Sequence, residues 1–247
     1  MGDDILSALL SAIVALLVAW PLGGLLKKHP APFYGVAAVL VGAHLYYRFA
    51  GMYVPWLQTF VDMMNKGYLA CSFLAIVMFI GVLDEGLPAR RRLQPIRAEL
   101  SIISFVLAMS HAIAYLASYL PRLGMIFFSN TLMATSIVVA GLLTAVYIVL
   151  SATSLHALRV RIPYRTWKAI QRMSYAMVAL LYVHILLALG RTAFLAHSSS
   201  AAQLALSVYT VLIVIYAILR VLKARRDRVR HQAAAAPYAA EVAAHDA

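Results

Sequence analysis

Apolar residues along this 247-residue chain fall into long runs separated by short polar or basic connections. A helix needs roughly 20 such residues to cross the hydrocarbon of a bilayer. Seven runs qualify: residues 4–26, 32–53, 66–84, 98–120, 125–150, 167–190 and 201–222. The stretch from Pro55 to Lys66 is mixed and short, which suits an interfacial segment between the second and third runs. No internal repeat is evident. From Ala224 the chain turns basic and then Ala-rich, a composition expected to stay disordered. The pattern predicts an all-α integral membrane protein, a bundle of seven transmembrane helices.

Composition agrees with that class. Hydrophobic residues make up 64% of the chain and charged residues 12%, with a mean hydropathy of +0.84, far beyond what a soluble domain of this size needs. The net charge of +12 does not point to nucleic acid, because the basic residues gather at the ends of apolar runs. One set of loops holds 17 of the 21 Lys and Arg residues: Lys27 and Lys28, Arg90 to Arg97, Arg159 to Arg172, and Arg220 to Arg230. The alternate loops hold Arg48, Lys66, Arg122 and Arg191. The positive-inside rule then predicts a multi-pass protein with its N-terminus outside and its C-terminus inside; the expected location is a bacterial cytoplasmic (inner) membrane. The start, Gly2-Asp3-Asp4, lacks a basic n-region, and the run after it is long enough to span. It is therefore expected to be a retained helix rather than a cleaved signal peptide.

Orientation gives depth to three histidines. His44 and His111 lie about 13 residues into their spans and His184 about 16 or 17, roughly 20–25 Å from the inner edge at ~1.5 Å per residue. All three fall in the outer half of the bilayer. An imidazole in hydrocarbon is costly and marks a functional site by default. Two on facing helices are the usual protein ligands of a buried b-type haem, which makes His111 and His184 candidate metal ligands. The competing reading for any one of them is a hydrogen bond to a neighbouring helix. Zinc is less favoured, since it wants three or four ligands and the nearby carboxylates, Asp62 and Glu99, stand at span ends. His29, His156, His197, His231 and His245 fall in loops or the tail and read as solvated. Cys71 forms no metal or redox motif and reads as a packing residue.

Two segments carry a resemblance. Residues 90–119, a basic loop leading to Met109-Ser110-His111, resemble the loop and following helix of the ferric-reductase-like transmembrane domain superfamily. The pattern Trp167-x3-Gln171-Arg172-Met173-x-Tyr175-x8-His184 is similar to that family's Trp-x3-His-Arg-Leu-x-Tyr-x8-His, and Asn65-Lys66-Gly67 matches its Gly-led helix. The likeness runs over about residues 34–222 and is greatest to the MsrQ membrane haem-b subunits, which feed a periplasmic methionine sulfoxide reductase. It implies an extra N-terminal helix (1–31), a six-helix haem-binding domain (32–222) and a cytoplasmic tail (223–247). The family's haem histidines carry over to His111 and His184. His44 is a third candidate, as ligand, proton donor or quinone-site residue. Gln171 stands where relatives have another histidine, so one haem b is expected and a second, inner haem lacks its ligand. Gln94-Pro95 replaces the Gly expected after the basic pair.

Relatives that oxidise NADPH append a flavin and nicotinamide module. About 25 residues follow the last span here, with no GxGxxG. The expectation is an electron-transfer subunit rather than a self-contained enzyme. Its donor would be a quinol or a separate flavoprotein carrying FMN, its acceptor an extracytoplasmic reductase, with a molybdopterin enzyme among the candidates. Arg48 and Arg191 suit haem propionates or lipid headgroups equally, and Trp167 and Tyr175 suit an electron path or an interfacial aromatic belt. Two other classes remain open. A proton-relay transporter-like bundle is weakened by the lack of a mid-membrane carboxylate. A non-haem membrane anchor of a soluble enzyme would use the histidines for packing alone.

Overall fold

The computed structural model describes residues 2–194 and 199–245, and among them every regular element is helical. Helices α1 (Gly2–Ala19), α2 (Gly23–Lys28) and α3 (Pro30–Phe49) form the N-terminal part. Next come α4 (Gln58–Asn65), α5 (Tyr68–Ile80), α6 (Pro88–Leu93) and α7 (Arg97–Tyr119). The remainder is α8 (Leu123–Ser129), α9 (Thr131–Ala152), α10 (His156–Arg159), α11 (Tyr164–Arg172), α12 (Ser174–Phe194) and α13 (Ser200–His245).

Each expected run is helical, but several are broken, and the breaks have local causes. The first run stops at Ala19 because Pro21, lacking an N–H, cannot continue the ladder. Pro30 then opens α3 at the first helical position, where its fixed φ suits helix entry. Asn130 interrupts the fifth run, accepting the Met133 N–H at 3.0 Å and so capping α9. Gly67 adopts φ +71° between α4 and α5, and the two helices meet at a 43° bend. The tail is the clearest departure: α13 continues to His245, through residues expected to be disordered. Alanine has the highest helix propensity, and a helix already formed in the last span propagates into the Ala-rich stretch without a new nucleus. His197 lies outside the described residues, as do the side chains of His231 and His245.

Four segments are long and apolar enough to cross a membrane: Pro88–Ser129, Thr131–Ala152, Tyr164–Phe194 and Ser200–Arg230. The bent pair Pro55–Asn65 with Tyr68–Ile80 makes a fifth if it counts as one span. α1 is apolar but short, and α3 is not among the qualifying helices. The molecule is thus an all-α, multi-pass membrane protein, with four or five of the expected seven spans qualifying by length and hydropathy among the described residues. Its outward faces are apolar, as lipid contact requires: Val39, Leu142 and Ile218 are among many exposed aliphatic side chains.

Packing is denser in the first half. α1 turns a stripe of Ser7, Ser11, Ala15 and Ala19 inward, all 0–1% exposed and four residues apart. Small residues at that spacing let backbones approach closely in a membrane, and here they dock α1 on α4 and α5. Leu26, Met64, Phe73, Ile80, Leu100 and Leu107 join this cluster, which unites α1, α3, α4, α5 and α7. A second cluster links α5 and α7 to α9 and α12, and a third joins α12 to α13. Buried hydroxyls stitch the first two: Tyr147 donates to Ser104 Oγ at 2.6 Å, and Ser104 donates to the Ala70 carbonyl at 2.7 Å.

Candidate functional site

The α4–α5 bend prepares one imidazole. A helix end leaves carbonyls without intrahelical partners. Asn65, the last residue of α4, turns its carbonyl toward α7, where His111 Nδ1 donates to it at 2.6 Å. A carbonyl only accepts, so Nδ1 carries the proton and Nε2 presents a lone pair. Gly67 lies directly beneath this ring, since a Cβ there would stand 3.6 Å from His111 Cγ and Nδ1. Toward the C-terminal end of α7 the ring contacts Tyr115 at 4.7 Å between centroids, and Tyr115 contacts Tyr119 at 5.9 Å, so an aromatic column leads from His111 to the end of that helix.

His184, on α12, comes to 6.2 Å from His111 between ring centroids, with the rings at 87°. The two helices do not pack along their length: α12 packs chiefly on α13 and α9, and α7 on α5 and α3. The imidazoles bridge the space between them. His184 Nδ1 is buried and has no hydrogen-bond partner among the described residues. An orphaned buried polar atom is uncommon and calls for an explanation.

His44 joins the same region from another side. It is fully buried on α3, and its Nδ1 shares a 2.7 Å hydrogen bond with Ser110 Oγ, the residue before His111. Its Nε2 is buried and unpartnered. Two of the three histidines thus meet ring to ring, and the third reaches their neighbour. Among the described residues no group of three or more His, Cys, Asp or Glu side chains could hold a metal ion.

The remaining residues singled out in the sequence lie elsewhere. Gln171 donates its amide to Thr153 Oγ1 at 3.1 Å, and Trp167 Nε1 donates to the Thr153 carbonyl at 3.1 Å, so both anchor α11 to the end of α9. The Arg159 guanidinium covers the Trp167 ring at 4.6 Å, and Arg220 covers Tyr175 at 4.9 Å. These are interfacial cation–aromatic contacts. Arg48 and Arg191 are exposed, Glu99 keeps a buried Oε2 without a partner, and Cys71 is a free thiol.

Two contributors escaped the sequence reading. Ser110 differs in no way from other serines in apolar helices. Asn65 acts through its backbone, which no side-chain pattern reports; the Gly67 that frees its carbonyl was the available signal.

A family model described as ferric reductase like transmembrane component matches residues 66–183. The match covers α5 to α11 and much of α12, includes His111 and stops one residue before His184; α1 and α3, with His44, lie outside it. A protein of Treponema pallidum (strain Nichols), described as an uncharacterized protein, is 31% identical over 237 residues. That alignment covers 90% of this chain and 62% of the relative, so the chain spans about three fifths of the curated relative's length. No solved structure matches. Through residues 66–183, a little under half of its length, the chain is similar to the ferric reductase like transmembrane components.

Proposed function

We propose that this chain is a membrane b-type cytochrome that holds one haem between His111 and His184. It would accept electrons from a quinol or a separate flavoprotein on the inner side and deliver them to an extracytoplasmic reductase. The observation that carries the reading is the imidazole pair. The rings of His111 on α7 and His184 on α12 stand 6.2 Å apart between centroids, and these two imidazoles are the residues that would hold the group.

The chemistry of the donor set fits as well. Nδ1 of His111 is tied to a backbone carbonyl, the arrangement that fixes a ligating histidine's tautomer and raises its basicity. The bound group would supply one-electron transfer; the protein supplies its two imidazoles, a low-dielectric surround and exclusion of water. Gln171 is turned to Thr153 and bears no imidazole, which favours a single haem. The outer-half depth of the pair, read from charge bias, favours delivery to the outer face, with the N-terminus outside and the C-terminus inside an inner membrane. Likeness to the MsrQ subunits makes a periplasmic methionine sulfoxide reductase, or a molybdopterin enzyme, the acceptor class to try first.

The purified protein should contain one b-type haem per chain, measured as the pyridine haemochrome. His111→Ala and His184→Ala should each lose most of it, while Gln171→Ala retains it. A protein without a Soret band, or one whose band survives both histidine substitutions, overturns the reading.

A further inference from the structure

Lys66 occupies the middle of the Asn65-Lys66-Gly67 turn and takes no part in contacts with the imidazole pair. Its ammonium is held instead by two carboxylates. Asp62, one turn earlier on α4, accepts at 3.1 Å, and Asp4 of α1 pairs with the same nitrogen. The flanking residues do touch the site: the Asn65 carbonyl receives the His111 Nδ1–H, and the Gly67 backbone lies against the His111 ring. α1 reaches Lys66 because its stripe of small residues locks it against α4 and α5, with Ser7 donating to the Thr59 carbonyl at 3.4 Å.

We infer that Lys66, clamped between Asp4 and Asp62, is a positioning residue that holds the Asn65 carbonyl on His111 Nδ1, and that α1 serves this site as a brace. The inference rests on the haem reading for its electronic consequence, but not for its geometry. An exposed ion pair in water contributes little to stability. The effect here is directional: the turn contains a left-handed glycine, so its path depends on what holds the residue beside it. Losing the clamp lets the carbonyl move away from His111. A weaker Nδ1–H···O=C bond makes the imidazole a poorer donor and destabilises the ferric state relative to the ferrous state.

Full-length Lys66→Met, Asp4→Asn and Lys66→Arg proteins test this with two readouts. Imidazole ¹⁵N NMR on histidine-labelled protein reports the His111 Nδ1–H bond whether or not haem is present, and redox titration reports the potential when it is. Lys66→Met and Asp4→Asn should weaken that hydrogen bond, speed exchange of its proton and raise the midpoint potential. Lys66→Arg should stay close to wild type on both. If Lys66→Met does not fold, Asp4→Asn carries the test. Unchanged His111 resonances in the folded Asp4→Asn and Lys66→Met proteins would overturn the inference. A wild-type protein without haem would overturn the proposed function and leave the NMR comparison to decide the positioning role.

Discussion

Gly67 and Gly51 both adopt positive φ, +71° and +64°, yet only one of them faces the imidazole pair. A Cβ at Gly51 would meet nothing within 4 Å, whereas one at Gly67 would lie against the His111 ring. An alanine forced into the left-handed region destabilises by about 1 kcal/mol, so both Gly51→Ala and Gly67→Ala should lower the melting temperature. Only Gly67→Ala should also shift the absorption spectrum. Equal spectra in the two variants would separate Gly67 from the site. The site itself was partly legible at this scale. The depths of His44, His111 and His184 follow from span register and charge bias, and the Trp167-to-His184 spacing marked two of the three. Depth says nothing about which face of a helix a side chain occupies, so the His44–Ser110 contact emerged only with the packing of α3 on α7.

The helices themselves were legible as apolar runs, and their interruptions less so. Pro21 and Asn130 each end a helix through backbone chemistry that hydrophobicity averages away. The stripe Ser7, Ser11, Ala15 and Ala19 is written plainly in the sequence, but its partner is not, since small residues specify closeness without identity. Three elements depend on one another through the Tyr147–Ser104–Ala70 chain, which ties α9 to α7 and α7 to α5. Tyr147→Phe removes one link while Ser104 keeps its bond to Ala70, so no buried donor is orphaned. A loss of roughly 0.5–1.5 kcal/mol is expected in reversible unfolding. Ser104→Ala strands the buried Tyr147 hydroxyl and should lose more. The reverse order would show that the chain of hydroxyls does not couple these helices.

For the whole molecule the charge asymmetry is the strongest statement available from sequence. The structure adds that Asp84, beyond the end of α5, accepts from Arg226 at 3.2 Å and lies 3.6 Å from Arg230, which ties α13 to the same basic face. In a Cys71→Ala background, Ser199→Cys should react with a membrane-impermeant maleimide from outside intact cells. Ala224→Cys should react only after permeabilisation, and the opposite result would invert the proposed direction of electron flow. Which runs are long and apolar enough to span was the least legible property, because α1 and α3 are shorter or more polar than their run lengths suggest. The central claim concerns two residues acting on one metal, and low-temperature EPR of the oxidised protein tests it most directly. One low-spin ferric haem signal should be present, replaced by a high-spin signal or lost in His111→Ala and His184→Ala. A wild-type spectrum with only high-spin haem, or a low-spin signal that survives either substitution, would contradict the account.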